Sequence, residues 1–78
     1  MEHIERRRTS IAAELRAERA RRKLTMQQLA NGSQIKIATL RRRLDGIKAF
    51  DIDQLDRLTT FLALPLVTLI ERAEAHSE

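Results

Sequence analysis

Residues 25–46 read Thr25-Met26-Gln27-Gln28-Leu29-Ala30-Asn31-Gly32-Ser33-Gln34-Ile35-Lys36-Ile37-Ala38-Thr39-Leu40-Arg41-Arg42-Arg43-Leu44-Asp45-Gly46. The stretch opens on a Thr followed three residues later by Gln28, a pair whose side chains each satisfy a backbone N–H left free in a first helical turn. A short helix is expected over 25–32, ending by Asn31-Gly32. Apolar positions resume at Ile35, Ile37, Leu40 and Leu44, then stop at Gly46, a residue suited to the left-handed conformation that closes a helix. The spacing predicts a second helix over 36–45. So short a link forces the two helices to cross steeply.

The second helix carries Lys36 at its start and three successive arginines. Consecutive helical residues point about 100° apart, so Arg41, Arg42 and Arg43 cannot share one task. With Leu40 and Leu44 facing a core, Arg42 and Lys36 project outward, and Ile37, Ala38 and Arg41 lie along the side open to a partner. A helix of this kind fits the major groove of B-DNA, where a bidentate arginine reads guanine and Ile or Ala touches a thymine methyl. Arg43 is placed to reach a phosphate.

Outward from this pair, the rest of the chain also reads as helix. A first helix is expected over 10–23, with Ile4 as an earlier start; Ile11, Ala12, Leu15 and Ala20 share its inner face, and Glu14, Glu18, Arg21 and Arg22 fall elsewhere. Asp51 with Gln54 repeats the capping pattern and opens a fourth helix whose inner stripe is Ile52, Leu55, Leu58 and Leu62. Pro65 suits the first turn of a fifth, which carries Leu66, Leu69, Ile70 and Ala73. Two Gly, one Pro, two Phe and an abundance of strong helix formers agree with an all-α fold of five helices. No internal repeat interrupts it. The expected division is a basic segment over 1–9 and a domain over 10–75.

Seventy-eight residues leave room for one small core and no separate ligand-sensing domain. The absence of Cys removes disulfides and thiolate zinc sites as sources of stability. Residues 1–48 hold 13 Lys and Arg against 5 Asp and Glu, whereas residues 49–78 hold 2 against 6, so the front of the chain is the candidate surface for a polyanion. The longest apolar run, over 61–67, is far below the roughly 20 residues that span a bilayer. The arginines at 6–8 have no apolar stretch behind them, as a secretory signal requires. A cytoplasmic protein without membrane contact is expected.

Leu15-Arg16 through Arg19, then Leu24-Thr25-Met26-Gln27-Gln28-Leu29-Ala30, then Ile35 and Thr39-Leu40 ending in Gly46, resemble the lambda-repressor and Cro-like (XRE-type) helix-turn-helix family. The resemblance continues through Leu55 and Leu62-Ala63-Leu64-Pro65. It implies a compact five-helix domain, binding of palindromic operators as a homodimer, and a phage or bacterial repressor. It also implies base-reading positions at Ile37, Ala38, Arg41 and Arg42, and phosphate-clamping positions at Thr25, Met26, Gln27 and Lys36. Three positions depart from the family pattern. Gln34 stands at the turn position usually held by Gly, which predicts strain there or a turn shifted toward Gly32. Leu44 replaces a Glu that often pairs with the first-helix Arg, here Arg19. Ala63 replaces a Gly, which predicts a different end to the fourth helix.

Other residues support no chemistry. His3 and His76 have no nearby second ligand, and Ser10, Ser33 and Ser77 have no His and Asp at a spacing that builds a nucleophile. No cofactor, metal or enzymatic activity is expected. Asp51, Asp53 and Asp56 suit a helix start better than a calcium loop. Arg6, Arg7 and Arg8 form a secondary phosphate-binding arm or a solvated stretch. Phe61, Leu66, Val67 and Ile70 give the C-terminal helices more apolar surface than one face needs, and are assigned to a homodimer interface. The expected function is sequence-specific binding of double-stranded DNA by a repressor. Its rivals are an antitoxin-type module that uses the apolar helix on another protein, and a charge-driven RNA or nucleoid binder. The last conflicts with the scarcity of aromatics for stacking.

Overall fold

The computed structural model describes the backbone of residues 2–76 and the side chains of residues 10–75. Five helices follow in order: α1 (Glu2–Arg21), α2 (Met26–Ser33), α3 (Ile37–Leu44), α4 (Ile52–Leu62) and α5 (Leu66–His76). The described chain is therefore all-α, as its composition implies. Leu15, Leu29, Leu40, Leu58, Leu62 and Leu69 are each at most 1% exposed and take one side chain or more from every helix into a single cluster. Each fully buried Leu contributes about 1.5–3 kcal/mol through burial, and Ile35, Leu44, Leu55 and Leu64, nearly as buried, extend the same cluster.

Local signals place the helix starts. Thr25 and Asp51 both form complete capping boxes, with their side chains accepting from Gln28 N and Gln54 N and the Gln side chains accepting from the cap residues' own N–H groups. Pro65 stands just outside α5 instead of in its first turn, and its carbonyl accepts from Leu69 N at 3.1 Å.

The helix ends share one device. After α1, α2, α3 and α4 a residue enters the left-handed region: Lys23 (φ 55°), Gln34 (φ 60°), Gly46 (φ 78°) and Ala63 (φ 52°). In each case the next residue's N–H reaches back five residues, as in Leu24 N to Arg19 O and Ile35 N to Ala30 O, both 3.1 Å. This is the Schellman closure, in which an apolar residue after the turn packs back on the helix. Leu24, Ile35 and Leu64 pack in this way, whereas Ile47 stays 61% exposed. The expected shift of the turn toward Gly32 does not occur, because Gln34 itself takes the left-handed conformation. Nor does α4 end differently: Ala63 adopts the geometry a Gly would.

Gly32 lies inside α2 rather than at its end. Its reason is steric, since a Cβ there would fall on the Phe61 ring, which α4 lays against this turn.

Three expectations of burial are corrected. Ile52 is 73% exposed, because it is the first residue of α4 and the inner stripe begins one turn later at Leu55. Ala20 is exposed, near the end of α1. Glu14 and Glu18, read as outward, are only 3% and 6% exposed. They face α5, the helix that α1 packs against most extensively, and find guanidiniums there. Arg72 of α5 donates to Glu18 at 3.1 Å, and Arg21 and Arg22 complete the cluster from α1. Breaking such a pair leaves an uncompensated buried charge, so the cluster fixes how α5 docks. The first helix also starts earlier than residue 10, at Glu2. The arm reading of Arg6, Arg7 and Arg8 concerns side chains outside the described residues.

Candidate nucleic-acid interface

Three residues, Gln34, Ile35 and Lys36, join α2 to α3. The left-handed turn at Gln34 and the burial of Ile35, 7% exposed, fix the angle at which α3 leaves. The core side of α3 is Leu40 and Leu44. These two anchors decide which way everything else on the helix points.

On the opposite side Lys36, Ala38, Arg41 and Arg42 are exposed. Ala38, Arg41 and Arg42 sit at i, i+3 and i+4 and form one face. Ile37 is half-buried and packs partly on the core, so it offers less of its side chain than its position suggests. The arginines fall in the last turn of α3, where positive charge is favoured by the carbonyl end of the helix dipole.

Two guanidiniums are engaged in holding α3. Arg43, half-buried, donates through one terminal nitrogen to Ala49 O and ties down the loop after the helix. Arg16, on α1, donates to Leu44 O at the helix end. Thr25 is exposed and caps α2, Gln27 is exposed and donates to Asn31 Oδ1 at 2.9 Å, and Met26 is half-buried against the core. The N-terminus of α2 thus lies open beside its capping Thr.

The ion pairs divide the basic residues into two classes that the sequence does not distinguish. Among the described residues, Arg21, Arg22, Arg57 and Arg72 have carboxylate partners within 4.0 Å, and Arg16, Arg19, Lys23, Lys36, Arg41, Arg42, Arg43 and Lys48 have none. Apart from Lys23 in the turn after α1, the described charges without a counter-ion lie on α3, at both of its ends, and on the adjoining part of α1. Lys48 shares a shallow depression with Thr39, Arg42 and Arg43. Sequence reading passed over Lys48 and Arg16; the available signal for Lys48 is its place two residues after the Gly46 closure, while Arg16 comes beside α3 only through the packing of α1.

The apolar residues assigned to subunit contact divide as well. Val67 is 63% exposed, Phe61 40% and Ile70 37%, while Leu66 is half-buried and packs on the core. No described helix is long and apolar enough to cross a membrane.

The fold is similar to that of the clp gene regulator ClgR from C. glutamicum, with a TM-score of 0.83 at 23% sequence identity, over 90% of this chain and 91% of that chain. At that identity the likeness establishes the shared five-helix fold. No family model matches the chain, and no curated protein is significantly similar to it.

Proposed function

We propose that this chain is a sequence-specific double-stranded DNA-binding regulator of the lambda-repressor and Cro-like type, and that it represses by covering promoter DNA. The observation that carries this reading is α3 itself. It is a short helix anchored by Leu40 and Leu44, with Ala38, Arg41 and Arg42 on its open face and, among the described residues, no carboxylate within 4.0 Å of those arginines. A helix so held can enter the major groove, where an arginine fork matches guanine N7 and O6 and Ala38 fits a thymine methyl. Ile37 adds an apolar edge to this reading face.

Thr25, Met26 and Gln27 at the start of α2, with Lys36 ahead of α3, take the phosphate backbone in this arrangement. They fix register without reading sequence. The remaining N–H groups of Arg43, and Lys48 beside it, extend the same contact past the end of α3. Two copies meeting through Val67 and Ile70, flanked by Phe61 and Leu66, would place two α3 helices on a palindrome with half-sites about 34–36 Å apart.

Selection of bound duplexes from a random pool tests the function. The expected product is a two-fold symmetric consensus containing G·C pairs at the arginine positions. A bound pool with no enriched sequence would reduce the reading to charge-driven binding.

A further inference from the structure

Between α1, α2 and α3 lies a depression lined by Arg16, Arg19, Met26, Arg41, Leu44 and Asp45. Three arginines and one aspartate thus share its lining. None of the three has an ion-pair partner among the described residues. Arg16 is held by Leu44 O, and Arg19 donates through one terminal nitrogen to Leu24 O at 2.8 Å. The Nε of Arg19 is enclosed and has no hydrogen-bond partner. An internal cluster meant only for stability pairs its charges, as Glu14 and Glu18 do with Arg21, Arg22 and Arg72 on the other side of α1. This one does not.

We propose that the depression is a binding pocket for a phosphate group. Guanidinium forks match the tetrahedral oxygens of phosphate in paired N–H···O bonds. Backbone carbonyls already hold Arg16 and Arg19 in place, so their ordering cost is met before an anion arrives. Such a group has two sources, a DNA backbone phosphate next to the start of α2 or a diffusible phosphate. The first source rests on the DNA-binding reading and the second does not. Because Arg41 lines both this pocket and the open face of α3, a diffusible phosphate seated here would compete for the same guanidinium that DNA needs.

Two measurements on the full chain separate the sources. In the first, inorganic phosphate is titrated at constant ionic strength against chloride, following backbone amide signals. Saturable shifts at residues 16, 19, 26 and 44, lost in Arg19→Met, identify a diffusible ligand. In the second, duplex affinity is measured across salt concentration. A log–log slope smaller by about one unit in Arg19→Met, without saturation by free phosphate, identifies the backbone phosphate. Circular dichroism checks that Arg19→Met is folded; if it is not, Arg16→Gln replaces it in both measurements. Absence of saturable shifts together with an unchanged salt slope overturns the pocket and leaves DNA binding standing. A parent that binds no duplex overturns the DNA reading, and the phosphate titration then decides the pocket alone.

Discussion

Lys23, Gln34 and Ala63 each hold a conformation that L-residues avoid, at a cost of about 1–2 kcal/mol per residue. Glycine removes that cost but adds about 0.5–1 kcal/mol of backbone entropy lost on folding. Gln34→Gly and Ala63→Gly are therefore each expected to stabilise the chain by about 0.5–1 kcal/mol, raising the thermal midpoint by a few degrees in a domain of this size. Thermal unfolding followed by circular dichroism checks this, and a lowered midpoint in both variants would refute the strain argument. The same residues mark a limit of sequence reading. Gly46 announced its helix end, whereas Gln34 and Ala63 were marked only by the Gly the resembled family holds there and Lys23 by nothing, because the demand comes from the apolar residue that follows each and must reach the core. Phe61 is a parallel case: its ring lies on Gly32, a contact across two helices that hydrophobicity alone could not place.

At the level of the helices, α1 and α5 are joined by charge as well as by the core cluster to which they contribute Leu15 and Leu69. The Glu18 carboxyl is held below its ordinary value of 4.5, first by the hydrogen bond from Arg22 and then by that from Arg21, against the opposing effect of burial. A carboxyl whose folded pKa is depressed contributes stability that is present above its unfolded pKa and is lost as pH falls through the folded value. Chain stability is thus expected to fall on acidification below about pH 4.5. Glu18→Gln should flatten that acid limb while costing about 1.5–3 kcal/mol near neutrality, the usual worth of hydrogen bonds to a charged group. Urea unfolding of both proteins at several pH values checks it; parallel pH profiles would show that Glu18 is not the linked group. Periodicity placed Glu14 and Glu18 outside because it is blind to Arg72, 54 residues beyond Glu18. The α2–α3 pair was legible for the opposite reason, since its caps, link and apolar spacing all lie within 25–46. The open face of α3 was readable with it, and the contributions of Arg16 and Lys48, which depend on packing and on the loop after α3, were not.

For the whole molecule, most of the described cations without an ion pair gather around α3; of the exposed apolar side chains, Val67, Ile70 and Phe61 belong to α5 and the end of α4, while Ile47 and Ile52 flank the loop after α3. The proposed division between a DNA surface and a subunit surface rests on the α3 and α5 groups of that arrangement. Val67→Asp places a charge on the more exposed of the α5 side chains and is expected to lower self-association in sedimentation without loss of helicity. A variant that still associates like the parent would move the contact elsewhere. The central claim is that α3 reads bases through its arginines. Its most direct test is the ratio of affinities for the selected operator and for unrelated duplex, measured at one ionic strength for the parent, for Lys36→Ala and for Arg41→Ala with Arg42→Ala. Lys36→Ala should weaken both DNAs alike and keep the ratio, because a phosphate contact carries no sequence information. The double arginine variant should stay folded on Leu40 and Leu44 and lose about 1–3 kcal/mol of discrimination for each base contact removed, so that its ratio falls toward unity. A double variant that keeps the parent's ratio would contradict base reading by α3.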